Sequence, residues 1–318
     1  MDRSGPVAQL RAVVAAFAKA RLGDDERWCV GLSGGADSLA LTAVAARLRP
    51  TTALIVDHGL QADSVAVAEQ AHAQAIALGC VDAQILRVEV GSAGGPEAAA
   101  RTARYAALQT ARDGAPVLLA HTLDDQAETV LLGLGRGSGA RSLAGMRAHD
   151  APWCRPLLGV RRATTVAACS ELGLTPWQDP HNSDPRFTRV RLRTEVLPLL
   201  EQVLGGGVAE ALARTAAALR EDTEALDAAA AEIGIGAGAL PIADLDGLSA
   251  AVRRRVIRSW LLAGGACDLT DAQIRSVDLL VTAWRGQGGV AVPSGLTRER
   301  LFAGRRNGAL VLYGQPVA

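Results

Sequence analysis

The string Ser33-Gly34-Gly35-Ala36-Asp37-Ser38 stands between an apolar run holding Cys29, Val30 and Leu32 and an apolar-periodic segment holding Leu39, Leu41 and Val44. Strand, glycine turn and helix in that order make an anion cradle. The glycines let the backbone come close to a ligand, and the helix behind them turns N–H groups and its positive dipole end toward phosphate. Ser33 and Ser38 add hydroxyl donors. Asp37 would repel phosphate unless a divalent cation lies between them, which makes it a candidate Mg²⁺ ligand. The simpler alternative is a glycine turn with Asp37 as a helix cap; the full string directly after a strand favours phosphate.

A lysine directly after the glycines would have marked a different phosphate loop. Lys19 is the only lysine of the chain and precedes every glycine loop, on a segment that reads as a surface helix. Walker-type nucleotide binding and Schiff-base chemistry are therefore disfavoured. The abundance of Arg, Ala and Gly is what GC-rich coding produces. With 33 basic and 33 acidic residues the formal net charge is zero, so RNA binding would need local basic patches. Cys29, Cys80, Cys154, Cys169 and Cys267 are scattered without a CxxC pair, which points away from a disulfide framework and toward a reducing cytoplasm. No stretch approaches the roughly 20 apolar residues of a membrane span, so no membrane association is expected.

Short apolar runs at 28–32, 53–57, 83–88 and 117–120 alternate with helical patterns near 38–49, 64–78, 96–113 and 124–134. That alternation predicts an α/β fold, a doubly wound and mostly parallel sheet with helices on both faces. Such sheets bind ligands beyond the carboxyl ends of their strands, where Ser33, Asp57, His58 and His121 fall. A glycine-rich loop at 135–139, a short run at 153–157 and a helical pattern near 163–172 follow. The segment 175–188 is rich in Pro, Asp and Asn and reads as an irregular loop. Helical texture from Arg189 to about Ala231 is broken at Gly205–Gly207, read as a hinge. Helices near 249–263 and 271–284, with alternating segments around 289–292 and 309–313, make a second, smaller helical or α+β domain. A larger first domain over 1–204 and a linker helix with a small second domain over 205–318 are expected.

The SGGxDS string is similar to the signature of the PP-loop ATP pyrophosphatases, which have an adenine nucleotide alpha hydrolase-like fold, adenylate a substrate and release pyrophosphate. Three further segments resemble lysidine synthetases. Val56-Asp57-His58-Gly59-Leu60 resembles their VDHGLR string, with Gln61 in place of Arg. His121, Asp124, Asp125, Glu128 and Thr129, followed by Arg136-Gly137-Ser138-Gly139, resemble HxxDDxxET and RGSG. Arg155-Pro156-Leu157-Leu158 and then Asp179, Asn182, Asp184, Arg189, Arg191, Arg193 and Leu197-Pro198 resemble their RPLL and DxxNxDxxxxRNxxR…LP segments, with Val190 in place of Asn. The resemblance implies that ATP and Mg²⁺ are used to join free L-lysine to C2 of the wobble cytidine of tRNA(Ile) with a CAU anticodon. It implies ATP binding by Leu32, Ser33, Gly34, Gly35, Ala36, Asp37, Ser38, Asp57 and His58, and catalytic roles for Asp37, His121, Arg189 and Arg193. Asp124, Asp125 and Glu128 would bind lysine, and Arg136, Arg191, Arg253, Arg254 and Arg255 would bind tRNA.

The residues carry part of this on their own. Asp124 and Glu128 are four apart and share a helix face, where two like charges are unfavourable unless they meet a cation such as a lysine ammonium or Mg²⁺; acids also simply favour a helix N-terminus. His121 at a strand end suits proton steering, or an ordinary core or capping role. Arg189 and Arg193, with Arg186 and Arg191, can clamp phosphate bidentately or form a solvated face. From Ile235 onward ten Arg stand against six acids, including Arg253–Arg255 and the Arg298–Arg306 segment, which makes an RNA footprint there an expectation. A tRNA thiolase of the same fold, an amidotransferase partner and a non-catalytic RNA-binding module are the rival readings. The oligomeric state is left open, with a homodimer among the options.

Overall fold

Successive residues of a strand point to opposite faces, so a sheet sandwiched between helices needs two apolar layers from adjacent sequence positions. The chain supplies both. In the computed structural model, Val30, Ala53, Ile55, Leu118 and Cys154 pack into one apolar layer, while their neighbours Cys29, Leu54, Val117 and Leu119 pack into another. The structure describes residues 5–23, 27–59, 63–91, 95–137, 139–180, 184–234, 238–295 and 299–316. Leu60, Gln61, Ser138, Asn182, Ile235 and Arg298 lie outside them.

The chain forms two compact units. One runs to Leu131 and resumes over Gly145–Arg214; the other comprises Leu132–Ala144 and the chain from Thr215. The first unit holds strands β1 (Trp28–Gly31), β2 (Thr51–Asp57), β3 (Asp82–Arg87), β4 (Val117–Leu118), β5 (His149–Asp150) and β6 (Trp153–Cys154), in the order β3-β2-β1-β4-β6-β5. All pairings are parallel except β5 with β6. The chain begins in the middle of the sheet, winds outward through β2 and β3, then returns to build the other half from β4. The reversal falls between β1 and β4, the switch point where a doubly wound sheet opens a crevice at its carboxyl edge.

The helices are α1 (Pro6–Arg21), α2 (Ala36–Ala45), α3 (Ser64–Ala77), α4 (Pro96–Ala111), α5 (Leu123–Gly135), α6 (Ala140–Leu143), α7 (Arg162–Glu171), α8 (Thr188–Arg191), α9 (Leu197–Leu204) and α10 (Val208–Ala231). Leu10 and Val14 of α1, Leu39 and Leu41 of α2, Ala68 and Ala71 of α3, and Ala168 and Cys169 of α7 cover the first sheet face. Leu108 of α4 covers the other. A π-helical turn, Leu192–Val196, joins α8 to α9. Gly205, Gly206 and Gly207 have φ of 84°, 91° and 73°, a left-handed run open to glycine alone without strain. The chain bends there by 95°, and the Glu201 carboxylate accepts the Val208 and Ala209 N–H groups at 3.0 and 3.1 Å. This glycine turn, expected as the hinge between domains, lies inside the first unit; the chain passes to the second partway along α10. Among the described residues no single helix is long and apolar enough to cross a membrane.

The second unit has α11 (Ala250–Ala263), α12 (Asp271–Thr282) and strands β7 (Leu240–Pro241), β8 (Val290–Val292), β9 (Glu299–Arg306) and β10 (Ala309–Pro316), paired antiparallel in the order β7-β10-β9-β8. Thr270 and Gln273 cap α12 reciprocally. Val256, Ile257, Trp260, Leu261, Val277 and Leu310 fill its core. The segment expected as a basic patch up to Arg306 is mostly β9, whose Leu301 and Ala303 are buried. Asp278, with a 5 % exposed side chain, takes Arg253 Nε at 2.6 Å and Arg254 Nε at 3.0 Å, while Arg255 Nε meets Asp227 at 2.8 Å. The three arginines expected to face RNA are therefore each engaged by a carboxylate of their own unit. Removing one member of a buried pair strands the other, so Asp278→Ala should lower stability by about 3 kcal/mol in denaturant unfolding; a loss below about 1 kcal/mol would show that both guanidiniums find water instead.

Candidate active site

The phosphate loop is preformed. Gly34 has φ +82°, and its carbonyl accepts the Trp177 N–H at 2.9 Å. The Ser38 hydroxyl accepts from Ser33 N–H at 3.2 Å, lies 3.1 Å from the Ser33 hydroxyl and donates to the Gly35 carbonyl at 3.0 Å. The loop is thus braced from within, and the N–H groups opening α2 have no partner inside their own helix. Asp37, in the first turn of α2, is held rather than free: Arg162 Nε donates to Oδ2 at 3.1 Å and the Thr165 hydroxyl donates to Oδ1. Burial raises its pKa, against the pull of Arg162 and Thr165.

Across from this loop, the first turn of α5 holds Asp124 and Asp125. Thr122 caps the helix: its N–H and hydroxyl both donate to Asp125 Oδ2 at 2.8 Å. Asp124 Oδ2 accepts the Arg162 N–H at 2.7 Å, and Arg161 Nη2 lies 3.1 Å from its Oδ1. Glu128 is fully buried, with Arg193 Nε donating to Oε1 at 2.8 Å and Nη2 to Oε2 at 3.2 Å. Arg189 Nη1 stands 3.8 Å from Oε2. Arg162 closes the set, with Nη2 2.5 Å from Asp125 Oδ1 and Nη1 3.5 Å from Glu128 Oε1. Burial alone would raise the Asp125 pKa, but the Arg162 guanidinium and the Thr122 donors hold it below the usual carboxylate range. Arg162 answers in kind: burial opposes its charge, and Asp125, Asp37 and Glu128 together raise its pKa.

His121 follows β4. Its Nδ1 is buried without a hydrogen-bond partner, and burial, reinforced by the charges of Arg155, Arg104 and Arg101 and opposed by Asp125, lowers its pKa to about 4. It is a neutral imidazole at pH 7. Asp57, closing β2, is buried and accepts the Gly59 N–H at 3.0 Å; the neighbouring His58 Nδ1 is also buried and unpartnered. Leu32 is buried beneath the loop.

The first unit thus joins Asp37, Asp124, Asp125, Glu128, Arg189 and Arg193 in one ion-pair network, with Ser33–Ser38, Asp57, His58 and His121 at the ends of β1, β2 and β4. Arg191 is exposed and paired with Glu195 at 3.0 Å, and Arg136 is exposed in the second unit. Val190, where Asn is usual in the resembled pattern, is buried. Sequence reasoning missed Arg161, Arg162 and Thr165. Their signal is faint: two arginines opening a helix run against its dipole, which hints that carboxylates face them.

Residues 8–200 match the model of a PP-loop domain family, and residues 240–310 match that of the TilS substrate binding domain. The chain is 73 % identical to the tRNA(Ile)-lysidine synthase of Mycolicibacterium paratuberculosis and 71 % identical to that of Mycobacterium tuberculosis, in each case over 100 % of both chains. Among solved structures it is similar to the U34-tRNA thiolase NcsA from Methanococcus maripaludis, with TM-score 0.55 and 18 % identity over 68 % of this chain and 80 % of that one. That likeness concerns the fold alone.

The depressed pKa of His121 makes stability depend on pH. Its contribution is present above pH 6.5, where folded and unfolded imidazoles are both neutral, and is lost as pH falls from 6.5 through about 4 because the unfolded chain takes up the proton first. His121→Gln should therefore remove up to about 3 kcal/mol of acid destabilisation between those limits. Denaturant melts of both proteins across that range measure it, and parallel curves would mean that His121 titrates normally.

Proposed function

Because the chain belongs to the tRNA(Ile)-lysidine synthase family, we propose that it joins lysine to C2 of the wobble cytidine of tRNA(Ile) bearing a CAU anticodon, cleaving ATP to AMP and pyrophosphate. One observation carries this reading: a phosphate loop and a helix bearing three carboxylates are tied together by Arg162, so a nucleotide site and a cation site share one crevice. In the first step the C2 carbonyl oxygen of the cytidine attacks the α-phosphate of ATP and pyrophosphate leaves. In the second, the ε-amine of lysine attacks C2, and the oxygen departs with AMP. Adenylation converts a poor oxygen leaving group into a good one.

Ser33–Ser38 and the start of α2 take the phosphates, with Leu32, Asp57 and His58 beside the nucleoside. Asp124, Asp125 and Glu128 take the lysine ammonium groups, competing with the arginines that now neutralise them. Arg189 and Arg193 stabilise charge on phosphate, and His121, held neutral by burial and the nearby arginines, is suited to polarise the base being activated by hydrogen bonding. Arg136 and Arg191, both exposed, remain available to RNA. Arg253–Arg255 could contribute only beside their carboxylates.

Mg²⁺ typically takes one or two carboxylates together with substrate phosphates and water. Asp37 next to the phosphate loop fits that donor set, and among the described residues no cluster of three or more His, Cys, Asp or Glu side chains forms a cage of protein ligands alone. A metal at Asp37 would share Oδ2 with Arg162 and would neutralise charge on the phosphates. The thiolase alternative finds little support: Cys29, Cys80 and Cys169 are buried, and burial pushes their thiols up to about 11, away from the reactive thiolate.

Mass spectrometry of tRNA(Ile) incubated with the protein, ATP, Mg²⁺ and lysine tests the reaction; the expected product is heavier by lysine less one water, and unmodified tRNA would refute it. Asp37→Asn should stay folded yet slow pyrophosphate release by about 100-fold, whereas near-normal release would remove Asp37 from the site. For Glu128→Gln, loss of a charge-assisted contact should raise the half-saturating lysine concentration about tenfold with little change for ATP. An equal loss on both substrates would mean that Glu128 serves only the arginine network.

A further inference from the structure

Arginines of the crevice such as Arg161, Arg162 and Arg193 face carboxylates, but among the described residues three beside them do not. Arg101, Arg104 and Tyr105 occupy one face of α4, three and four residues apart. The Arg101 and Arg104 guanidinium carbons lie 4.9 and 5.6 Å from the centre of the Tyr105 ring. Arg155, immediately after β6, is only 6 % exposed; it donates through Nη1 to the Arg147 carbonyl at 2.9 Å and through Nη2 to the Tyr105 hydroxyl at 3.4 Å, and its buried Nε has no hydrogen-bond partner. Arg101 Nη2 donates to the same hydroxyl at 3.4 Å. Among the described residues no carboxylate pairs with any of the three. The Tyr105 ring meets Trp153 edge to face, 4.7 Å between centres, and both rings are partly exposed.

We propose that Arg101, Arg104 and Arg155 seat a phosphodiester of the RNA strand carrying the target base, with Tyr105 and Trp153 as an aromatic face against which a neighbouring nucleotide rests. Three like charges around one phenol are unfavourable in the free protein and become favourable when a polyanion arrives. Arg101 and Arg104 are exposed, so a strand can reach them. Burial of part of its side chain lowers the Arg104 pKa. All three charges are near enough to His121 to oppose its protonation, which puts the seat beside the reacting base. The triphosphate of ATP already has the α2 loop, and the carboxylate of lysine is a single charge. Arginine with an exposed aromatic ring is how single-stranded RNA is commonly gripped, through phosphate contact and stacking together.

This inference rests on the tRNA reading above, and the experiment separates the two. Binding of the full chain to fluorescent tRNA(Ile) is measured by anisotropy over a salt series for the wild type, Arg101→Ala/Arg104→Ala, Arg104→Glu and, as a control for loss of an exposed arginine elsewhere, Arg11→Ala on α1. The double variant should bind about tenfold more weakly, and the slope of log affinity against log salt should shrink by about 1.4, the value for two contacts to a single strand. Arg104→Glu should weaken binding further, Arg11→Ala should match the wild type, and half-saturating ATP and lysine should stay within about twofold throughout. Thermal midpoints check folding; should the double variant melt early, Arg104→Glu alone decides. Wild-type affinity and slope in a folded variant overturn the proposal, as does a loss confined to lysine or ATP, which would make a carboxylate or nucleotide phosphate the occupant. A wild type that modifies tRNA while the variants bind it normally refutes this seat alone; a wild type that makes no lysidine refutes the proposed function.

Discussion

Charge neutralisation at the carboxyl edge of the sheet is the constraint from which the first unit's geometry follows. Asp37 on α2 and Asp124, Asp125 and Glu128 on α5 are brought close by strand order alone, because α2 follows β1 and α5 follows its neighbour β4. Burying unpaired carboxylates costs several kcal/mol each. The chain answers with Arg161 and Arg162 at the start of α7 and Arg189 and Arg193 on α8 and the π-helical turn. Arginine at a helix N-terminus opposes the helix dipole, an effect of up to about 1 kcal/mol. That loss is tolerated at α7 because each guanidinium faces carboxylates at 2.5–3.9 Å.

The parts of the fold that announce themselves in sequence are those where periodicity and punctuation agree. The strands at 28–31, 51–57, 82–87 and 117–118 and the helices between them fall where apolar runs and periodic segments put them. The expected strand at 117–120 is shorter in the structure, since the chain must turn out of the sheet to bring His121 and Thr122 to the start of α5. β9 was invisible because its buried positions, Leu301 and Ala303, are set among Arg300, Arg305 and Arg306, so charge masked the alternation. The inclusion of Leu132–Ala144 in the second unit was equally hidden, because contacts far apart in sequence decide it and no local pattern records them.

The site was legible where chemistry is written in short strings, and opaque where it depends on partners far away in the chain. The phosphate loop and the acidic start of α5 are local motifs. Arg162 reaches Asp37 across 125 positions and Asp125 across 37, and nothing in its neighbourhood announces either. The run Arg253–Arg255 shows how partners far away in the chain change what a local pattern suggests. Three adjacent cations look like a surface for RNA, yet Asp278 on α12, 25 positions from Arg253 and 24 from Arg254, and Asp227 on α10, 28 positions from Arg255, pair with them. A count of charges along the sequence cannot distinguish a paired guanidinium from an unpaired one.

The near absence of lysine has a physical consequence at the centre of this network. Arg162 engages three carboxylates through three different nitrogens: Nε toward Asp37 at 3.1 Å, Nη2 toward Asp125 at 2.5 Å and Nη1 toward Glu128 at 3.5 Å. A planar fork can divide one delocalised charge among acids arriving from different helices, each along its own N–H direction. An ammonium is a single centre on a flexible stem; it could approach one carboxylate closely only by retreating from the others. Whatever biased this chain toward arginine, the geometry at Arg162 requires the fork itself, because the carboxylates of α2 and α5 meet separate edges of it and not a point.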